Sequence, residues 1–379
     1  MASLSTEAQE LNAIKKDSTF DFFEFNGYLK FMETLAIANN SKVLVDNLVH
    51  NRLNFTFYTP RGSKFIAQFR NRIFFGSAVK SIPNYGNLVN QYDGVLPLEW
   101  LIVNNENVVI NTIVDRLYYE YSNIKMQIRV GRQRINWGIN TSWNPNDLFN
   151  SYNIYDFDYE EREGADAVSA SFFPNYMSSI DFAYKFTGKW DTDVVALKYK
   201  FNKYSYDFQF LGGKFQEFIA LGAGWAGNIG MTGFKGEITY FNSYISNIKS
   251  QVSLSTSIDY SFSNGTYMLG TYLLNTSGKN YLINPSITAL EIPNAMNLMP
   301  AKHSSMVQLA HPFTPVFNAS LATIYGFGIN SLTVFPTLTF GLKTNLDFDL
   351  IGQFYWQEIP LQPFQNIGNT LFWRFKYSF

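Results

Sequence analysis

Cysteine is absent from the 379 residues. That removes disulfides, thiolate metal sites and thiol nucleophiles together. Histidine is scarce: His50, His303 and His311 are the three in the chain, and no two stand at a metal-helix spacing. No run approaches about 18 consecutive apolar residues, so a membrane-spanning helix is excluded. A net charge of -1 exerts no overall pull on nucleic acid or anionic lipid. No Gly-rich phosphate loop leads a strand into a helix, which leaves nucleotide binding without a motif. A hydrolase needs a serine or an acid dyad beside a base. Ser304 and Ser305 stand next to His303 but read as ordinary loop residues. The expectation is a protein that is not an enzyme and that carries no cofactor and no metal. The opening "MASLSTEAQE" lacks a targeting segment and reads as a mature chain with a start Met added. The intact mass of the precursor in its native host tests this.

What is abundant is aromatic. Phe, Tyr and Trp make up 18% of the chain, with 36 Phe and 24 Tyr, while charged residues are only 16%. Mean hydropathy is nevertheless slightly negative. The arrangement explains the combination. In "VSLSTSIDYS", Val252, Leu254, Thr256, Ile258 and Tyr260 alternate with Ser253, Ser255, Ser257, Asp259 and Ser261. Side chains in a strand alternate faces, so this segment is a strand with one apolar and one polar side. "LTVFPTLTFGLK" repeats the pattern from Leu332, as do Val195, Leu197, Tyr199 and Phe201 against Lys198 and Lys200. Many half-polar strands make a soluble sandwich or a membrane barrel. Aromatics bracket the Leu and Val of each strand, which is the girdle of a barrel. The strands run roughly 9–12 residues, as a tilted span of the hydrocarbon core requires. In lipid only a closed barrel leaves no unpaired edge.

Short polar turns occur at residues 59–63, 121–123, 174–175, 202–205, 227–230, 263–265, 311–315 and 344–345. Long connections fall between them, at about 77–107, 136–163 and 278–303, and short turns alternating with long loops divide the two ends of a barrel. The expected fold is all-β: a transmembrane antiparallel up-and-down barrel of about 18 strands, with 16 the alternative. It spans residues 19–379, with short periplasmic turns and long extracellular loops. Residues 1–18 are expected as a periplasmic arm or short helix, since Leu4, Leu11 and Ile14 form only a thin apolar stripe. The last strand, "TLFWRFKYSF", must pair with the first to close the ring. Its alternating Trp373, Phe375, Tyr377 and Phe379 resemble the C-terminal recognition signal of Gram-negative outer-membrane barrels. That resemblance implies the barrel-assembly machinery as a partner.

With the aromatic side assigned to lipid, Arg52, Asn54 and Thr56 face inward. So do Gln68, Arg70 and Arg72, then Arg116, Tyr118 and Glu120, then Lys125, Gln127 and Arg129. These strands are consecutive, so the side chains form one basic wall, which needs water or anions around it. In "GRQRINWG", strict alternation turns Arg132 and Arg134 toward lipid. A bulge at Gly131 brings both inward and sends Ile135 and Trp137 outward. The bulge is preferred because arginine on the lipid face is costly. The alternative places both at the outer rim against lipopolysaccharide phosphates. The loop that follows holds Asp147, Asp156, Asp158, Glu160, Glu161 and Glu163. The expectation is that it folds inward and sets these acids across a constriction from Arg70, Arg72, Arg116 and Arg129, since charge rings select ions by sign. A solvated acidic surface loop and a calcium site are the alternatives, although the spacing is not an EF-hand.

"VGRQRINWG" followed by "NPNDLFN" resembles the Gly-Arg-Gln strand and Asn-Pro-x-Asp loop of alginate-export-like and related outer-membrane porins. Gly131, Arg132, Gln133, Trp137, Gly138, Asn144, Pro145 and Asp147 carry the resemblance. It implies basic residues lining a pore for anionic solutes, in the outer membrane of a Gram-negative bacterium. The aromatic, Asn-rich style suggests a Bacteroidetes-type host. Implied partners are outer-membrane lipid, lipopolysaccharide and a small solute, with other outer-membrane proteins possible and nucleic acid excluded. In the third long loop Ile287, Leu290, Ile292, Met296, Leu298 and Met299 are too apolar for free solvation. The expectation is that it packs into the barrel mouth; the alternative is an apolar surface for a ligand or partner. The leading expectation for function is passive diffusion of small polar, anionic solutes. A barrel subunit of a larger assembly with a loop-blocked lumen, and a channel for apolar or aromatic compounds, are the alternatives.

Overall fold

The computed structural model describes residues 22–38, 43–90, 92, 94–150, 154–155, 158, 163–245, 248–279, 294–359 and 362–379. Expectations for the arm at residues 1–18, for Asp156, Glu160 and Glu161, and for Ile287, Leu290 and Ile292 lie outside them. In chain order the elements are β1 (Phe23–Ala38), β2 (Leu44–Thr59), β3 (Ser63–Gly76), the five-residue helices α1 (Ser77–Ser81) and α2 (Tyr85–Val89), and β4 (Glu99–Asn104). Then come β5 (Val108–Ser122), β6 (Met126–Gln133), β7 (Ala165–Asn175), β8 (Ser178–Lys185), β9 (Val194–Lys203), β10 (Tyr206–Phe215), β11 (Phe218–Ile229) and β12 (Thr232–Ser243). The last are β13 (Gln251–Ser261), β14 (Tyr267–Asn275), β15 (His303–Thr314), β16 (Phe317–Phe327), β17 (Ser331–Lys343), β18 (Leu346–Gln357) and β19 (Gln365–Ser378). Ser304 and Ser305, read above as loop residues, therefore lie inside a strand, paired to Leu273 and Tyr272.

Every strand except β4 pairs antiparallel with both wall neighbours, and β1 pairs with β2 and β19, so eighteen strands close on themselves. Closure satisfies the backbone of each strand on both edges, which is what a lipid environment demands. Two backbone bonds between Gly27 and Phe379, 2.9 and 3.0 Å, extend the seam to one end of the barrel. There Phe25 packs on Phe379 with ring centroids 5.6 Å apart. β4 is an extra strand. β6 pairs with β5 over Leu117–Ser122 only, and β4 takes β5's free edge from Val109 to Ile113.

At one end the hairpins are tight. Tyr204 and Ser205 both hold positive φ, 55° and 61°, which makes a two-residue turn whose twist matches that of the strands it joins. At the other end residues 77–107, 134–164 and 276–302 connect strands.

The two faces of the wall invert the usual globular pattern. Leu197, Tyr199, Leu221, Tyr240, Leu309, Leu371, Phe375 and Tyr377 are exposed on the outside, while Lys198, Gln209, Glu237, Thr239, Ser253, Ser255 and Ser257 are buried inside. Apolar residues turned outward around a whole ring are stable only against hydrocarbon, so this is a transmembrane barrel. Among the described residues no helix is long and apolar enough to cross a membrane; the strands do the crossing. Two packed clusters occupy part of the interior. One joins Ile135, Trp137, Leu148 and Phe149 to wall alanines and to Phe215 and Phe241. The other joins Trp143, Leu298 and Met299 to Leu269, Leu273, Met306 and Ile324.

Candidate functional site

The interior charges concentrate on β1, β2, β3, β5 and β6, and the pairing register stacks them. Arg52 stands opposite Arg70, and His50 opposite Arg72. Like charges in that position repel unless something lies between them. Here it is Asp115. The β3–β5 register shifts between Gln68 and Phe69, so Asp115 is an extra residue beside Arg116. A bulge of this kind aims two consecutive side chains to one side. The Asp115 carboxylate meets Arg52 Nη1 at 2.6 Å and Arg70 Nη2 at 3.0 Å, and all three side chains are buried. Arg52 also donates to Gln68 at 2.8 Å, and Arg116 donates to the Asp115 carbonyl at 2.7 Å. Nearer the tight-turn end, Glu120 bridges Arg129 at 2.6 Å and Lys64 at 3.3 Å. Arg72 reaches the carbonyl of Val89, at the end of α2, at 2.5 Å.

Three sequence expectations differ from this arrangement. The register of β6 runs through Gly131 without a shift on either neighbour, so no bulge occurs there even though Gly131 holds φ +120°. Arg132 therefore stays on the Val130 side. It is kept from lipid by its cross-strand partner Asp166 on β7, at 2.8 Å, and by the segment leading into β4, where it binds Glu99 and the Leu96 carbonyl at 2.6 Å under the Tyr92 ring at 3.7 Å. Second, β6 ends at Gln133, and alternation ends with it. Arg134 is exposed, while Ile135 and Trp137 are buried inward against wall alanines rather than facing lipid. Third, Lys125 lies exposed in the turn between β5 and β6 and not in the wall.

The described residues between 134 and 158 turn into the lumen. The first part crosses to β10–β13, where Gln209 donates to the Trp137 carbonyl at 2.8 Å and Glu237 accepts from several amides. The second reaches β17 and β18, where Tyr155 sits between Phe335 and Tyr355 and accepts at its carbonyl from Gln353 at 3.0 Å. Burial pushes the Tyr155 hydroxyl up to about 12. Asp158 then meets Lys30 at 2.9 Å, His50 at 3.3 Å and Arg374 at 3.4 Å, on β1, β2 and β19. Burial by itself raises the Asp158 carboxyl. The His50 hydrogen bond and the Lys30 ammonium outweigh it and hold the carboxyl well below the usual carboxylate range.

The loop acids thus do not all stand where the sequence reading put them. Asp158 opposes Lys30, His50 and Arg374 rather than Arg70, Arg72, Arg116 and Arg129, because Asp115 and Glu120 on the wall already pair Arg70 and Arg129. Asp147 is buried beside the Trp137 amide at 3.5 Å. Glu163 is exposed, and its carbonyl accepts from Asn150 at 2.6 Å. Lys30, Asp115, Glu237 and Arg374 are not singled out in the sequence, and His50 figures there only among histidines weighed for a metal site; Arg374 also pairs with Asp349 on β18 at 3.0 Å. The alternation around Tyr28, Lys30 and Met32 places Lys30 inside, but Asp115 needs the bulge to be seen. Trp373, Phe375, Tyr377 and Phe379 lie on β19 and just beyond it, with Phe375, Tyr377 and Phe379 exposed on the outer face. In the third long connection Leu298 and Met299 are buried against Trp143 and β14–β16, with Met296 half-buried.

No protein-family model and no curated protein matches the chain. Solved structures do. OprD, an outer membrane protein from Pseudomonas aeruginosa, superposes with a TM-score of 0.60 at 8% identity, covering 96% of this chain and 95% of that one. OccAB1 of Acinetobacter baumannii gives 0.59 at 9% identity over 96% and 98% of the two chains. OpdQ of Pseudomonas aeruginosa gives 0.59 at 8% over 94% and 98%. At such identities the likeness is one of fold: a closed eighteen-strand barrel over nearly its full length.

Proposed function

We propose that this barrel is an outer-membrane channel of a Gram-negative bacterium, through which small polar solutes diffuse with a preference for anions. The observation that carries the reading is the run of cations on adjacent inward faces, from Lys30 through Arg52, Arg70, Arg72 and Arg116 to Arg129, beside a segment folded into the lumen. Asp115, Glu120 and Asp158 neutralise part of it. A ring of like-charged side chains in a narrow passage selects ions by sign, and guanidinium and ammonium groups favour an anion. The structural likeness to OprD and OccAB1 supports the same class of protein, as does the resemblance of Gly131–Gln133 and Asn144–Asp147 to alginate-export-like porins. The aromatic, Asn-rich composition supports a Bacteroidetes-type host. Partners in this reading are outer-membrane lipid and lipopolysaccharide on the outer face, the assembly machinery at β19, and the solute within. The reading involves no enzymatic step.

The test is single-channel current in a planar bilayer under a salt gradient. A steady conductance with an anion-selective reversal potential is expected, and Arg70→Ala with Arg116→Ala should move that potential toward cations. A cation-selective channel overturns the anion preference. A correctly inserted but silent barrel overturns free diffusion and favours the second reading, a subunit whose lumen is blocked by its own loops. The packing of Trp143, Tyr155, Leu298 and Met299 inside the barrel is what speaks for that alternative.

A further inference from the structure

Glu237 on β12 is a buried carboxylate, 0% exposed, that no described cation pairs. Four N–H groups of the inward segment surround it instead. Its Oε1 accepts from the backbone amides of Ile139 at 2.5 Å and Asn140 at 2.6 Å and from Asn144 Nδ2 at 3.0 Å; its Oε2 accepts from the Asn146 amide at 2.9 Å. Successive amides converging on one anion form a concave nest with a fixed partial positive charge. Here the nest belongs to the loop and the anion to the wall. The Asn-Pro-x-Asp turn builds it: the Asp147 amide bonds to the Asn144 carbonyl at 3.1 Å, which turns the Asn146 amide toward β12.

The surrounding wall is shaped for the same contact. Asn140 donates to Ser255 at 2.5 Å and accepts from Ser257, and Thr239 donates to Asn146 Oδ1 at 2.6 Å. Asn146 Nδ2 donates to the Ala223 carbonyl at 3.0 Å. The glycines of β11 leave the space: a Cβ on Gly222 would lie 2.6 Å from Asn146 Oδ1, and one on Gly224 3.0 Å from Asn146 Nδ2. β12 also stands nearly opposite β1 in the ring, where Asp158 ends the other arm of the segment. The segment is therefore held at both sides of the lumen.

We propose that Glu237 is the positioning residue of this channel: by holding the nest at residues 139–146 it sets where the inward segment lies, and so the width and ion preference of the passage. This rests on the channel reading above. The chain has no cysteine, so Leu148→Cys, on the segment's own buried apolar side and not a partner of Glu237, reports its release through maleimide labelling. In that background Glu237→Ala is expected to speed labelling tenfold or more, which is about 1.4 kcal/mol in the opening equilibrium. Single-channel conductance should rise and the reversal potential should shift. Glu237→Gln separates acceptor from filler. If Glu237 only fills space, Gln behaves as the native residue; if it acts as an acceptor, Gln keeps one oxygen for the Ile139, Asn140 and Asn144 donors but sets an N–H against the Asn146 amide, and its labelling falls between native and Ala. Heat-modifiable migration in detergent gels checks that each barrel is folded. Unchanged labelling in Glu237→Ala, or native behaviour of Glu237→Gln, overturns the proposal. Faster labelling with unchanged conductance and selectivity overturns the link from segment to passage. A silent native barrel removes the channel reading, and the labelling ratio still decides whether Glu237 positions the segment.

Discussion

Asp115 is the residue on which the charged wall depends. It joins two facing guanidiniums, so Asp115→Asn leaves Arg52 and Arg70 side by side with the shared anion gone. Breaking a buried ion pair from one side costs about 3–5 kcal/mol, and lumen water should hold the cost near the lower figure. The expected outcome is a lower urea midpoint for the folded barrel together with a reversal potential shifted further toward anions. Asp158 acts differently because its partners lie on other elements. Its folded carboxyl is held below the ordinary range, so its contribution to docking is fully present above that range and is lost as pH falls through the depressed value. Protection of the inward segment from protease should accordingly persist at neutral and mildly acid pH and vanish only in strong acid. Asp158→Asn should remove much of that protection already at neutral pH and leave little further loss on acidification.

At the scale of the element, each strand carries two chemistries, and substitutions should sort by face. Leu221 of β11 is 55% exposed toward lipid. Leu221→Arg is expected to cost roughly 2–4 kcal/mol if it lies near the bilayer midplane, read from urea unfolding in lipid vesicles. A change where the wall meets a loop acts through a few polar contacts instead. Arg132→Lys keeps the charge but loses the planar fork that spans Asp166, Glu99 and the Leu96 carbonyl and stacks on Tyr92. Proteolysis between residues 92 and 99 should speed up, while the eighteen-strand wall, closed by its backbone pairing, keeps its heat-modifiable mobility.

For the whole molecule, the wall and the segment within it answer to different forces. The wall is held by backbone pairing around a closed ring and by apolar side chains in lipid. The inward segment is held by side chains at Glu237 and Asp158 and by two apolar clusters. Loosening the segment should therefore change conduction and leave the barrel intact.

Local alternation determined the wall. Period two fixes which side chains share a face, and the turns fix how many strands follow, so the barrel, its lipid face and the inward direction of Arg52, Arg70 and Arg129 were readable from "VSLSTSIDYS" and its counterparts alone. Alternation carries no information once a strand stops or a residue is inserted. Asp115 projects inward because a register shift between β3 and β5 makes room for it. Arg132 is sheltered by a segment more than thirty residues earlier in the chain, and Ile135 and Trp137 turn inward because β6 ends at Gln133. Glu237 meets amides about ninety residues away, and Asp158 meets Arg374 more than two hundred residues along the chain. Such pairings depend on which strands the closed ring sets opposite one another, and only the tertiary structure decides that.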